Sequence, residues 1–147
     1  MNRHLIFVAA LFTGLCHGQG KIDISKMEAA ERQRLVYAEE YFAKTPGAVK
    51  PEIQTAIRAQ RVIEGMCPTE AQLAAGQFYY SVKNDPKWPG GTVPLRIIHA
   101  QCGEPDSSEI TMTFMTRTQF DDRRPTVFKV SFRNGKAVAI DRGQTAE

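Results

Sequence analysis

From residue 77 to residue 141 the chain is a series of short runs rich in β-branched and aromatic residues, each closed by Asp, Pro, Gly or Asn. That punctuation limits the fold more than anything else in the sequence. Such runs read as strands, and their period of two assigns each side chain to one face of a sheet. Five strands are predicted, over 77–83, 92–102, 109–118, 126–132 and 136–141. Alternation gives an inner face of Phe78, Tyr80 and Val82; Ile110, Met112 and Phe114; Phe128, Val130 and Phe132; Val138 and Ile140.

Register is open to argument at two places. In the last hairpin, a two-residue Asn134-Gly135 loop would set Phe132 against Ala137 and turn Val138 and Ile140 to the polar face. A three-residue loop, Arg133-Asn134-Gly135, pairs Phe132 with Lys136, Val130 with Val138 and Phe128 with Ile140. Only the second gives one apolar face, so it is the expected register. In the run 92–102, Val93, Leu95 and Ile97 share one parity, while Ile98, Ala100 and Cys102 share the other. A β-bulge near Ile97-Ile98 would turn both sets inward and send His99 outward.

The chain before residue 77 is helical in pattern. Ser25-Lys26-Met27-Glu28 has the form of a capping box, and a charged, Ala-rich run follows to Lys44. Met27, Ala30, Leu35, Ala38, Tyr41 and Phe42 fall near one face of it. Pro51 opens a second helix with a stripe of Ile53, Ala56, Ile57 and Ile63, capped by Gly65. Cys67-Pro68-Thr69-Glu70 opens a short third helix that ends at Gly76. Helices first and strands afterwards give an α+β fold. Two longer helices and one short helix are expected on one face of a four- to five-stranded antiparallel meander.

The N-terminus carries Arg3 and then an apolar run from Leu5 to Leu15, too short to cross a bilayer. With Cys16 and Gly18 after it, the segment reads as a signal peptide over 1–18, leaving a single α+β domain over 19–147. Leu15 directly before Cys16 argues against acylation at that cysteine. The expected setting is periplasmic or secreted. Loss of Arg3 lowers the formal net charge from +3 to +2, too near neutral to indicate nucleic acid as a partner. Processing also removes His4, His17 and Cys16, leaving His99, Cys67 and Cys102. Two cysteines in an exported chain form a disulfide most simply, here with a long loop that constrains the unfolded chain by about 3–4 kcal/mol.

Catalytic signatures are missing from the sequence. It has no Gly-x-Ser-x-Gly, phosphate loop or dinucleotide fingerprint, and no ligand cluster for a metal; no cofactor is expected. His99 and Cys102 stand at an odd spacing, which on a strand puts them on opposite faces. Trp88 is the sole tryptophan and lies in the turn-rich stretch Asn84-Asp85-Pro86-Lys87-Trp88-Pro89-Gly90-Gly91. One reading folds it over the end of the sheet. The other makes it an anchor for a partner, with Lys87, Asp122, Arg123 and Arg124 as a charged rim. In a five-stranded meander the loops 84–91 and 119–125 lie at the same end, opposite Cys102 and the Asn134-Gly135 turn.

Two stretches carry a resemblance. The helix Gly65-Met66-Cys67-Pro68-Thr69-Glu70-Ala71-Gln72-Leu73-Ala74-Ala75-Gly76 and the hairpin Phe128-Lys129-Val130-Ser131-Phe132-Arg133-Asn134-Gly135-Lys136-Ala137-Val138 resemble the SmpA/OmlA family of small outer-membrane assembly lipoproteins. The likeness covers about residues 63–141. The Gly-x-Pro that often follows the family's helix is absent, and Cys67 stands where Ser or Thr is usual. The resemblance implies a fold type and an envelope setting. The expected function is therefore a non-enzymatic exported envelope protein that binds another protein. An exported inhibitor or immunity-type protein that blocks an enzyme with a loop is the alternative, and a motif-less hydrolase the third.

Overall fold

The computed structural model describes residues 21–83 and 94–145. The element order is α1 (Ile24–Lys44), α2 (Pro51–Arg58), α3 (Pro68–Ala75), β1 (Phe78–Lys83), α4 (Leu95–Ala100), β2 (Glu109–Thr116), β3 (Thr126–Arg133) and β4 (Lys136–Thr145). The fold is α+β: one four-stranded antiparallel sheet in the order β1-β2-β3-β4, with helices over one face.

The inner face is organised in rows that cross the strands. Phe78, Phe114 and Phe128 form one row; Tyr80, Met112, Val130 and Ile140 the next; Val82, Ile110, Phe132 and Ala137 the third. The phenyl rings of Phe114 and Phe128 stack at 5.5 Å, and Phe78 lies 5.7 Å from Phe114. Above these rows sit Ile53 and Ile57 of α2, Ala71, Ala74 and Ala75 of α3, Ile98 of α4, and Val62 and Met66 from the α2–α3 linker. Each large side chain fully buried in this way is worth about 1.5–3 kcal/mol.

The described part of the run 92–102 contains no strand. Residues 95–100 form α4, so there is no β-bulge at Ile97-Ile98. Pro94 starts the helix, and only Ile98 is fully buried. Helical spacing puts Ile98 and Gln101 inward together, which resolves the parity conflict without a bulge. His99 is half-buried rather than turned out.

Helix boundaries shift as well. The cap of α1 is Asp23, whose carboxylate accepts the N–H groups of Ser25 at 3.1 Å and Lys26 at 3.3 Å. α2 stops at Arg58, because Gln60 turns left-handed at φ 56° and its side chain leaves to bond α1. Only α1 is long. On α1, Ala30 is exposed and Glu31 is buried, the reverse of the apolar pattern. Arg117 causes this: its guanidinium donates to both Glu31 oxygens, at 2.8 and 3.1 Å, and reaches Glu28 at 2.9 Å.

The closing hairpin takes the two-residue loop. Arg133 pairs with Lys136, Phe132 with Ala137 and Val130 with Ile140. A register shift between Ser131 and Phe132 leaves Val138 as the extra residue, 46% exposed. The bulge corrects the parity problem locally, so Ile140 faces the core and Val138 does not.

Gly135 in that turn is buried, with φ +71°, and a Cβ there would stand 2.3 Å from the Gln101 carbonyl oxygen and 2.8 Å from Pro105 Cβ. Gly47 has a similar φ of +77° with nothing within 4 Å. Gly135→Ala should therefore lose about 3 kcal/mol or more, from left-handed strain plus overpacking, while Gly47→Ala loses about 1 kcal/mol from strain alone. Urea midpoints of the two variants check this; equal losses would show that the Gly135 contact yields freely.

Candidate functional site

The predicted interaction surface lies only partly within the described residues. β1 ends at Lys83, opposite Glu109, which in turn faces Arg133 beside the Asn134-Gly135 turn. The C-terminal end of β1 thus lies at the same end of the sheet as that turn. The connection holding Asp122, Arg123 and Arg124 joins β2 to β3 at the opposite end. The expected shared end for 84–91 and 119–125 assumed a strand at 92–102, where residues 95–100 form α4 instead, and 84–91 lie outside the described residues. Trp88 and Lys87 lie outside the described residues.

The β2–β3 connection is clamped into the fold. Gln119 is buried and its amide mimics a strand: Oε1 accepts Val62 N–H at 2.8 Å, and Nε2 donates to the Val62 carbonyl at 2.9 Å. Arg61 donates from Nε to the Thr118 carbonyl at 3.1 Å and pairs through its other end with Asp121. Asp122 pairs with Arg142 and accepts the Arg124 N–H at 3.4 Å. The Arg142 guanidinium holds the Asp122 carboxyl below its ordinary range. The same guanidinium lies 4.5 Å over the Phe120 ring. Asp122, the one carboxylate of the predicted rim, is therefore committed inside the chain, as is its neighbour Asp121. Among the described residues, Arg123 and Arg124 make no ion pair, and they stand exposed.

The two cysteines meet as expected. Cys67 and Cys102 form a disulfide with Cα atoms 5.2 Å apart, 35 residues apart in sequence. Cys67 is the N-cap residue of α3, and its own N–H donates to Glu70 Oε2 at 2.7 Å. The Thr69 N–H donates to Cys102 Sγ at 3.4 Å, so the far sulfur of the bridge serves as a weak cap on the helix. Thr69 Oγ1 also lies 3.1 Å from His99 Nδ1, and the imidazole stands edge-on to Phe78 at 6.3 Å. His99 and Cys102 come to one side because they are one helical turn apart, not three strand positions apart. Burial pushes the His99 imidazole below its ordinary value of 6.5.

Among the described residues no helix covers the other face of the sheet. Tyr79, Thr113, Lys129 and Asp141 cross it in one row, and Ser81, Thr111, Ser131 and Ala139 in the next. At its turn end a shallow depression of about 130 Å³ is lined by Lys83, Glu109, Thr111, Ser131, Arg133 and Val138. Glu109 there bridges Lys83 at 3.8 Å and Arg133 at 3.4 Å. Sequence alternation marks this face as polar but carries no signal for its being open.

Two expected outcomes follow for the disulfide and its histidine. Replacing both cysteines with serine should lose about 4 kcal/mol, the loop-closure value for 35 residues. Chemical denaturation measures it, and unchanged stability would remove the bridge from the fold's support. For His99, the unfolded chain takes up its proton first, so the stability contributed is full above about pH 6.5 and is lost as pH falls toward the folded value. Wild type should thus lose more denaturation midpoint than His99→Asn between about pH 7 and about pH 5.5; parallel falls would assign the pH dependence to carboxylates. Set against known proteins, the chain matches no family model, no curated protein and no solved structure.

Proposed function

We propose that this chain is a non-enzymatic, exported cell-envelope protein that binds another protein through the open face of its sheet. The observation that carries the reading is the one-sided cover: helices bury the rows of Phe78, Tyr80 and Val82, while the rows of Tyr79 and Ser81 stay at the surface. Such a face, with Ser, Thr and Ala at its centre and Lys83, Glu109 and Arg133 along one end, suits a flat partner with a polar rim.

Export is supported by the Cys67–Cys102 bridge, which persists in oxidising compartments. Among the described residues no helix is long and apolar enough to cross a membrane. Binding rather than turnover is supported by the chemistry already engaged within the fold: Asp121 and Asp122 in ion pairs, and His99 against Phe78 and Thr69. The resemblance to SmpA/OmlA proteins rests on segments that correspond here to capped α3 and to the β3–β4 hairpin. It supports a partner in envelope assembly.

A photo-crosslinking residue at Thr111, Ser131 or Val138, in the processed protein within its own envelope, tests this. All three positions should give the same discrete heterologous adduct, and Glu52 on α2 should give none. Thr113→Arg should cut capture about tenfold while leaving stability within about 0.5 kcal/mol, as surface changes do. Adducts that are absent from the sheet face, or equally strong from Glu52, would sink the proposal.

A further inference from the structure

α1 has a second, outward seam. Its inward side is set by Glu31, Ala38 and Phe42, which are buried. On the opposite side Ala29, Gln33, Val36, Glu40 and Ala43 are all exposed, at intervals of four, three, four and three residues. That is the spacing of a coiled-coil seam. Val36 is 52% exposed and its neighbour Tyr37 55%, two large apolar side chains side by side in water. Arg32 and Glu39 stand along one flank of the seam, and Ala30, Tyr37 and Lys44 along the other.

We propose that this seam docks onto the same seam of a second copy, antiparallel, about a twofold axis at Val36. The charge pattern selects both the occupant and the direction. In an antiparallel pair, Val36 meets the partner's Val36, and Ala29 meets the partner's Ala43, small residues that let the two backbones approach closely. Arg32 then lies level with the partner's Glu40, and Gln33 with the partner's Glu39, each twice by symmetry. A parallel pair would set Glu40 against the partner's Glu40 and Lys26 against the partner's Lys26. Among the described residues Arg32 and Glu40 have no ion pair within the chain, so both are available to the interface. The seam from 29 to 43 is about 22 Å long at 1.5 Å per residue, too short for a standard interface, so the dimer is a weak one.

Sedimentation equilibrium of the processed protein tests this from about 5 to about 500 μM, the range in which a small interface associates. A reversible monomer–dimer equilibrium is expected. Val36→Asp should abolish it, because two carboxylates meet on the axis. Glu40→Arg should weaken it about tenfold, and adding Arg32→Glu should restore it, since the two changes exchange the charges across the seam. Direction is read by crosslinking: Ala29→Cys mixed with Ala43→Cys should give a disulfide-linked heterodimer, and Ala29→Cys alone should not link to itself. A monomer at every concentration would overturn the proposal. Self-linking of Ala29→Cys, or a double charge exchange that fails to restore association, would overturn it equally. Circular dichroism of each variant separates lost association from lost folding.

Discussion

The fold depends on a single junction where three distant parts of the chain meet. Gly65 N–H donates to the Ala137 carbonyl at 2.9 Å, and Ala137 N–H donates to the Met66 carbonyl at 2.7 Å. One residue on, Cys67 is bonded to Cys102, and just before Cys102 the Gln101 carbonyl lies against the Gly135 Cα. The start of α3, the end of α4 and the β3–β4 turn are thereby fixed to one another. Helices of 8, 8 and 6 residues cannot persist alone, because nucleation costs more than so few hydrogen bonds return. They persist here because the junction holds them where their apolar side chains can cover the phenylalanine row.

The parts of this fold that the sequence discloses are those governed by local periodicity. Phe78 to Val82, Ile110 to Phe114 and Phe128 to Phe132 alternate strictly, and each takes the face its parity indicates. The run around Leu95 to Ala100 does not alternate. A short apolar run reads equally well as strand or as buried helix, and tertiary context decides. Here the Cys102 bridge and the burial of Ile98 against the core favour the helix. At the final turn, Asn134-Gly135 is a strong local signal for a two-residue loop. The expectation of unbroken parity overrode it, although an edge strand accommodates a bulge at little cost.

The candidate surfaces are less legible for a different reason. Arg61 and Asp121 are 60 residues apart, Arg117 and Glu31 are 86 apart, and Val62 and Gln119 are 57 apart. No spacing rule links such pairs. Asp122, Arg123 and Arg124 read from the sequence as a binding rim, but Asp121 and Asp122 fasten the β2–β3 connection to its neighbours. The disulfide was legible because elimination left only two cysteines, and chemistry, rather than periodicity, joins them.

The way α1 is attached explains why it can carry a surface of its own. Its N-terminal half is fastened by charge, through Arg117 to Glu28 and Glu31, and by Gln60, whose amide donates to the Glu31 carbonyl at 3.1 Å. Its C-terminal half is fastened by Ala38 and Phe42 in the core. A helix so held needs no wide apolar stripe, and the outward side is left to Val36, Tyr37 and the alanines. α3 touches both α1 and β2, and the inward side of α1 carries Glu31, Ala38 and Phe42, so the outward seam lies on the side of α1 away from the sheet. Pairing through α1 would then leave two sheet faces turned outward. Two such faces on one assembly convert a second binding event into an intramolecular one, which strengthens attachment to a partner repeated along a surface without any new contact.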